Sequence, residues 1–182
     1  MAAVDTFVAV ALGSNLGDRA AHLTVAVERL SLLLHDLRVS RFYETQPWGV
    51  GDQPNFLNAA LAGTTSLTAH SLLDVLQRIE RDCGRERPFP NSPRTLDLDI
   101  ILFGNEVIGT DRLQVPHPRF RERRFVLEPL HDVAPLARDP QTGLTVRALW
   151  EALQCELAGA VGMPSEVPTR RRKPARPSSN SV

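Results

Sequence analysis

The chain has 182 residues, 42% of them hydrophobic and 23% charged, and its 21 basic and 21 acidic residues cancel to a formal net charge of zero. That is enough chain for one domain with a real core, and no apolar run approaches a membrane span. Twenty of the 21 basic residues are arginine and the only lysine is Lys173 near the end, which excludes Schiff-base and P-loop lysine chemistry from the folded part.

Met1 to Asp5 lacks a charged-then-apolar signal, so a cytoplasmic location is expected. Phe7 to Gly13 reads as a buried first strand ending in a glycine turn. The segment Ser14 to Arg19 contains glycine but matches neither G-x-x-x-x-G-K-[ST] nor G-x-G-x-x-G, so it supports no standard nucleotide loop. Asp18 is placed to cap a helix from Ala20 to about His35, with Leu23, Val27, Leu30 and Leu34 on one face. A second strand is expected over Leu37 to Tyr43. The connection Glu44 to Pro54 holds two prolines, two glycines and Trp48, the composition and length of a binding loop. Trp48 reads equally well as a ring packed back on the core.

Phe56 to Thr64 is the third strand, on which Phe56 and Asn58 share a face. A ring for stacking beside an amide for edge hydrogen bonds suits a flat heterocycle, although a core Phe and a backbone-satisfied Asn explain the same pair. Ser66 or Thr68 caps a second helix through Cys83, buried along Leu72, Leu76, Ile79 and Cys83 and stopped by Gly84, with Gln77 and Glu80 flanking that stripe. The only other cysteine is Cys155, far from Cys83 in sequence, so reduced thiols are expected.

The stretch Arg94 to Gly104 follows. It has the length and apolar content of a buried strand, yet carries Asp97 and Asp99. Alternation puts both carboxylates on one face with Cα atoms about 7 Å apart. Asp is depleted in strands, and like charges this close need a neutralising partner. On a solvated face the pair needs no metal. Behind a loop bearing Arg85, Arg87 and Arg94 it reads instead as a place where Mg²⁺ and a polyphosphate are gathered.

Short extended pieces are expected at Glu106 to Gly109 and Leu113 to Val115. A second cationic cluster comes next, comprising Arg112, His117, Arg119, Arg121, Arg123 and Arg124. Val126 to Val133 and Val146 to Cys155 read as short helices, with Trp150 a packing residue. From Pro164 the composition turns to Pro, Ser and Arg. The expected organisation is therefore a domain over 1–163 and a disordered basic tail over 164–182. The order β-α-β-β-α-β predicts an α+β, ferredoxin-like sandwich with an antiparallel sheet and extra C-terminal short strands and helices. Two helices cover one face, and the other is left free for Phe56, Asn58, Asp97 and Asp99.

The sequence resembles the hydroxymethyl-dihydropterin pyrophosphokinase family over about residues 7 to 155. The resemblance rests on Leu12 to Asp18, Tyr43 to Gly49, Asn55 to Ala59, Pro93 to Ile100 and Val115 to Pro118, in that order. It implies an ATP-dependent enzyme of folate biosynthesis, which moves a pyrophosphoryl group from ATP to the hydroxymethyl of a reduced pterin and releases AMP. By the same resemblance Asp97 and Asp99 hold two Mg²⁺ ions, and Arg85 and Arg94 neutralise the phosphates with Arg87 in support. Gln77, Glu80, Ile100, Arg112, His117 and Arg123 match nucleotide-contacting positions. Phe56 and Phe125 match rings that sandwich the pterin, while Thr45, Trp48 and Asn58 match residues that line it. Asn91 and Ser92 stand where the family usually has an aromatic residue and a glycine, and Pro118 where an aromatic is common. The expected partners are ATP and the hydroxymethyl-dihydropterin, with no membrane or nucleic acid, and a monomer is expected. The competing reading is a ferredoxin-like nucleotide- or RNA-binding module without catalysis; its sheet should carry several stacking aromatics rather than two acids.

Overall fold

The structure, a computed structural model, describes residues 5–47, 53–84 and 92–161. Its central strand is Thr6–Ser14 (β1), in which Val8, Val10 and Leu12 alternate with Ala9, Ala11 and Gly13. One face of the strand is therefore bulky and the other small. β1 lies between Phe56–Thr65 (β4) and Asp97–Phe103 (β5), antiparallel to both. His35–Val39 (β2) extends the sheet beyond β4, giving the order β2-β4-β1-β5, and Tyr43–Thr45 (β3) also pairs with β4. With helices Arg19–Ser31 (α1) and Ala69–Asp82 (α2) as crossovers, this is the expected α+β ferredoxin-like arrangement.

The bulky face packs under α1 and α2: Val8, Val10, Leu12, Leu61 and Ile100 meet Leu23, Leu30, Leu72, Leu76 and Ile79 in one buried cluster. Both helices start as the sequence indicates. Asp18 Oδ1 accepts from the Ala21 N–H at 3.0 Å, and of the two caps considered for α2 it is Thr68 that serves, accepting from the Ser71 N–H at 3.2 Å. Gly84, at φ +74°, closes α2 in the left-handed conformation a glycine tolerates. Cys83 and Cys155 are both free thiols.

The small face is not left free. Arg124–Val133 (α3) and Val146–Val161 (α4) pack on it, with Ala9, Ala60 and Ala62 against Val126, Leu127, Leu130, Leu149 and Trp150. This corrects the expectation that the second face is left free. The small side chains of Ala9, Ala60 and Ala62 let a helix approach closely, so there is a helical layer on each side and the open part of the second face is only its end. Trp150 is the packing residue expected.

Four boundaries differ. α1 ends at Ser31, because the Leu33 and Leu34 N–H groups both turn onto the Leu30 carbonyl and the chain reverses into β2, where Asp36 takes φ +51°. The expected strand Leu37 to Tyr43 is two strands. Ser40 interrupts it, its N–H donating to the Ala60 carbonyl and its Oγ accepting from the Ala60 N–H, both at 2.9 Å. α3 begins two residues earlier than expected and α4 runs six residues further. The extended pieces pair as a small hairpin, Ile108–Gly109 (β6) with Gln114–Val115 (β7), and a 3₁₀ turn over Phe120–Glu122 precedes α3. The tail over 164–182 lies outside the described residues.

Candidate active site

At the end of the second face that α3 does not cover, a cavity of about 270 Å³ opens over the ends of β1, β4 and β5. The strand register builds its floor. Asn58, Gly13 and Asp97 lie side by side across β4, β1 and β5, and Ala60, Ala11 and Asp99 form the next row. Leu98 and Ile100 point the other way into the α1–α2 core, so the two aspartates share the cavity face as their spacing requires. Gly13 keeps the floor low. A Cβ there would come within 3.2 Å of Asn58 Oδ1 and 4.0 Å of the Asp97 Cβ.

One wall is preformed by hydrogen bonding. Buried Asn58 donates from Nδ2 to Thr45 Oγ1 at 2.7 Å, fixing its amide edge. β3, which carries Thr45, is tied to α3 by Tyr43, whose hydroxyl donates to Asp132 Oδ2 at 2.6 Å. Phe56 from β4 and Phe125 from the first turn of α3 both line the cavity. Each ring carries a guanidinium: Arg94 Cζ lies 5.7 Å from the Phe56 centroid and Arg123 Cζ lies 5.7 Å from that of Phe125.

The other wall is cationic. Arg94 donates from Nη1 to Asp97 Oδ2 at 2.9 Å. The Nε groups of Arg94 and Arg123 are buried and find no acceptor among the described residues. Burial pulls the Arg123 guanidinium below its usual range, with Asp99 opposing, yet an arginine so placed remains charged. His117 also lines the cavity. Burial first, and then the Arg123 charge, hold it neutral with a pKa of about 4, against an opposing pull from Asp97. Its Nδ1 accepts from the Arg119 N–H at 3.3 Å, which leaves Nε2 to carry the proton.

The structure thus brings together Thr45, Phe56, Asn58, Arg94, Asp97, Asp99, His117, Arg123 and Phe125. It does not bring Gln77, Glu80, Ile100 or Arg112 to the cavity. Ile100 is buried in the helix-side core, and half-buried Gln77 lies on α2 one turn before Glu80. Glu80 accepts from the Leu98 N–H at 2.7 Å, while Arg112 pairs with Asp74 on the surface at 2.7 Å. The second cationic cluster is also split. Arg121 grips the buried Asp139 with two bonds of 2.7 and 2.8 Å, and Arg124 pairs with Glu128. Trp48, Arg85 and Arg87 lie outside the described residues, as does Asn91; Ser92 is buried.

Sequence reasoning missed Asn15. Its side chain is buried beneath the cavity rim, where Oδ1 accepts from the Arg94 N–H at 2.8 Å and Nδ2 donates to Gln53 Oε1 at 3.2 Å. A buried amide immediately after a strand was the available signal. Gly13 and Ala11 were also missed, although the alternation of large and small residues along β1 marks them.

A five-stranded antiparallel sheet with ferredoxin-like order, two acids on its face and two aromatic-backed arginines beside them defines an α+β protein with a charged, ring-lined cavity at the end of its sheet. The family model for 7,8-dihydro-6-hydroxymethylpterin-pyrophosphokinase matches residues 9–135, and the chain belongs to that family. It is 48% identical over 130 residues to the 2-amino-4-hydroxy-6-hydroxymethyldihydropteridine pyrophosphokinase of Bacillus subtilis (strain 168), covering 68% of this chain and 75% of that protein. It is 40% identical over 145 residues to the folic acid synthesis protein fol1 of Pneumocystis carinii, covering 79% of this chain but only 20% of that longer protein. The fold is shared with the Plasmodium falciparum HPPK-DHPS A437G structure with pteroate, at TM-score 0.72 and 13% identity, over 89% of this chain and 43% of that one.

Proposed function

We propose that this chain transfers the pyrophosphoryl group of ATP to the hydroxymethyl oxygen of 6-hydroxymethyl-7,8-dihydropterin, giving the pterin diphosphate and AMP, in the making of folate. The observation that carries the reading is the cavity itself. Two carboxylates and two half-buried arginines, each with a buried Nε that finds no acceptor among the described residues, face the same space as an amide edge and two rings. An unsatisfied buried donor is costly, and an anionic ligand is the natural remedy.

In this reading the pterin lies between Phe56 and Phe125, with Asn58 and Thr45 at its edge. Its hydroxyl oxygen attacks the β-phosphorus in line, and the bond from that phosphorus to the α–β bridging oxygen breaks. AMP leaves with the bridging oxygen, and the hydroxyl proton passes to solvent. Arg94 and Arg123 hold the phosphates and oppose the growing charge, while neutral His117 donates without adding another cation. Positioning and electrostatics carry the acceleration, since no strong base stands in the cavity among the described residues.

Asp97 and Asp99 suit Mg²⁺. Among the described residues no group of three acidic, histidine or cysteine side chains forms a full protein cage. A hard ion that takes one or two carboxylates and fills its shell with water and phosphate oxygens matches that donor set. Two such ions would supply charge neutralisation and orientation of the hydroxyl. The nucleoside end of ATP is assigned to Gln77, Glu80, Ile100 and Arg112, outside the cavity, with Arg85 and Arg87 assigned to the phosphates and Trp48 to the pterin. A domain over 1–163, a monomeric state and a cytoplasmic location complete the proposal. Nucleic acid is disfavoured as a partner, because the acids on the sheet face repel a phosphate backbone.

The test is to mix the protein with Mg-ATP and the reduced hydroxymethylpterin and follow the nucleotide. One AMP per pterin diphosphate is expected. ADP as the product, or no turnover of either substrate, contradicts the proposal.

A further inference from the structure

Asn15 is 1% exposed and uses its whole carboxamide on two segments remote in sequence. Oδ1 accepts from the Arg94 N–H at 2.8 Å, and the Asn15 N–H returns a bond to the Arg94 carbonyl at 3.1 Å. Nδ2 donates to Gln53 Oε1 at 3.2 Å and to the Pro54 carbonyl at 3.4 Å. The orientation of the amide is determined. Arg94 N–H can only donate and the Pro54 carbonyl can only accept, so a flipped amide would fail at both ends. Arg94 and Gln53 both line the cavity, and Arg94 is bonded there to Asp97.

We propose that Asn15 is a positioning residue that couples the two halves of the site, so that occupation of the pterin half is felt at Arg94 through one buried amide. This rests on the function proposed above. Its physical basis is that a displacement of Gln53 or Pro54 by ligand must strain or tighten the Asn15 bonds, and those bonds also locate the Arg94 backbone. The guanidinium of Arg94 shares that adjustment through its own backbone, and the bond of its Nη1 to Asp97 carries the shift to the carboxylate.

Amide hydrogen exchange at Arg94, measured with and without saturating 6-hydroxymethylpterin, tests the coupling in the full chain. In the wild type the ligand should slow exchange at Arg94 about ten-fold or more. In Gln53→Ala, at the same occupancy, that slowing should fall below about three-fold. Asn15→Ala should lose kcat by about ten-fold or more, with the KM for ATP changed less than about three-fold. A purely structural Asn15 would lower thermal stability and leave Arg94 in Gln53→Ala as responsive to ligand as in the wild type. That result overturns the coupling, as does a folded Asn15→Ala enzyme with kcat within two-fold of wild type. If Asn15→Ala does not fold, the Gln53→Ala exchange result decides. A wild type that makes AMP while Arg94 ignores the pterin defeats the coupling alone; a wild type that makes no AMP defeats the proposed function.

Discussion

On the face covered by α1 and α2 the sheet presents Val8, Val10, Leu12 and Leu61, and every one is sealed in a core. On the opposite face it presents Ala9, Ala11, Gly13 and Ala60, and the same strands end in a cavity with two aspartates on its floor. The first face supplies hydrophobic stability. The second gives up side-chain volume, so that α3 can approach at one end and a ligand at the other. Both faces carry a buried core, but the cavity opens only at the uncovered end of the second, and substitutions on adjacent residues of one strand should therefore have different signatures.

The largest effect on stability should come from Leu61→Ala, which leaves a hole in the sealed face. About 2–5 kcal/mol of unfolding free energy should be lost, measured by urea denaturation, with kcat of the remaining folded enzyme near normal. Asp97→Ala should do the reverse. Turnover should drop by about 10²–10³-fold, in the range for removing one preorganised charge from a reacting polyanion, while the melting temperature moves little. Retained Mg²⁺-dependent AMP release would detach Asp97 from the metal. Ala60→Leu lies between the two. Overpacking against α3 should cost about 1–3 kcal/mol and raise the pterin KM as Phe125 is pushed from its place.

A pH measurement sharpens the contrast further. His117 has a folded-state pKa of about 4 against a usual 6.5, because burial and Arg123 disfavour its charged form. The unfolded chain therefore takes up that proton more readily. The stability His117 contributes is fully present above pH 6.5 and is lost as pH falls towards 4. The urea midpoint of the wild type should decline over that window, and His117→Gln should flatten the decline. The smallest effect belongs to Arg112→Ala. Its exposed pair with Asp74 should contribute less than about 1 kcal/mol to stability, and its effect on ATP affinity should be well below that of Arg123→Ala.

Much of this was legible in the sequence. Alternation located β1, β4 and β5, and the depletion of Asp in strands made Asp97 and Asp99 conspicuous. Capping residues and stripes placed α1 and α2. What escaped notice was non-local. The helical period of Val126 to Val133 says that one side is buried but not against what, and only the alanine side of β1 and β4 hinted that α3 lands there. Arg121 and Arg123 look equivalent in a basic run. One is captured by Asp139, 18 residues on, and the other is left for the cavity. Asn15 reads as a turn residue because its partners lie 38 and 79 residues away.

The most direct measurement of the central claim, that the uncovered end of the second face gathers metal and nucleotide, is Mn²⁺ binding followed by electron paramagnetic resonance. Mn²⁺ shares the oxygen-ligand preference of Mg²⁺, and α,β-methylene-ATP cannot release AMP. With the analogue present the wild type should take up two Mn²⁺ per chain, and Asp97→Asn/Asp99→Asn should lose that uptake while remaining folded. Equal Mn²⁺ and analogue binding by both proteins would contradict the account.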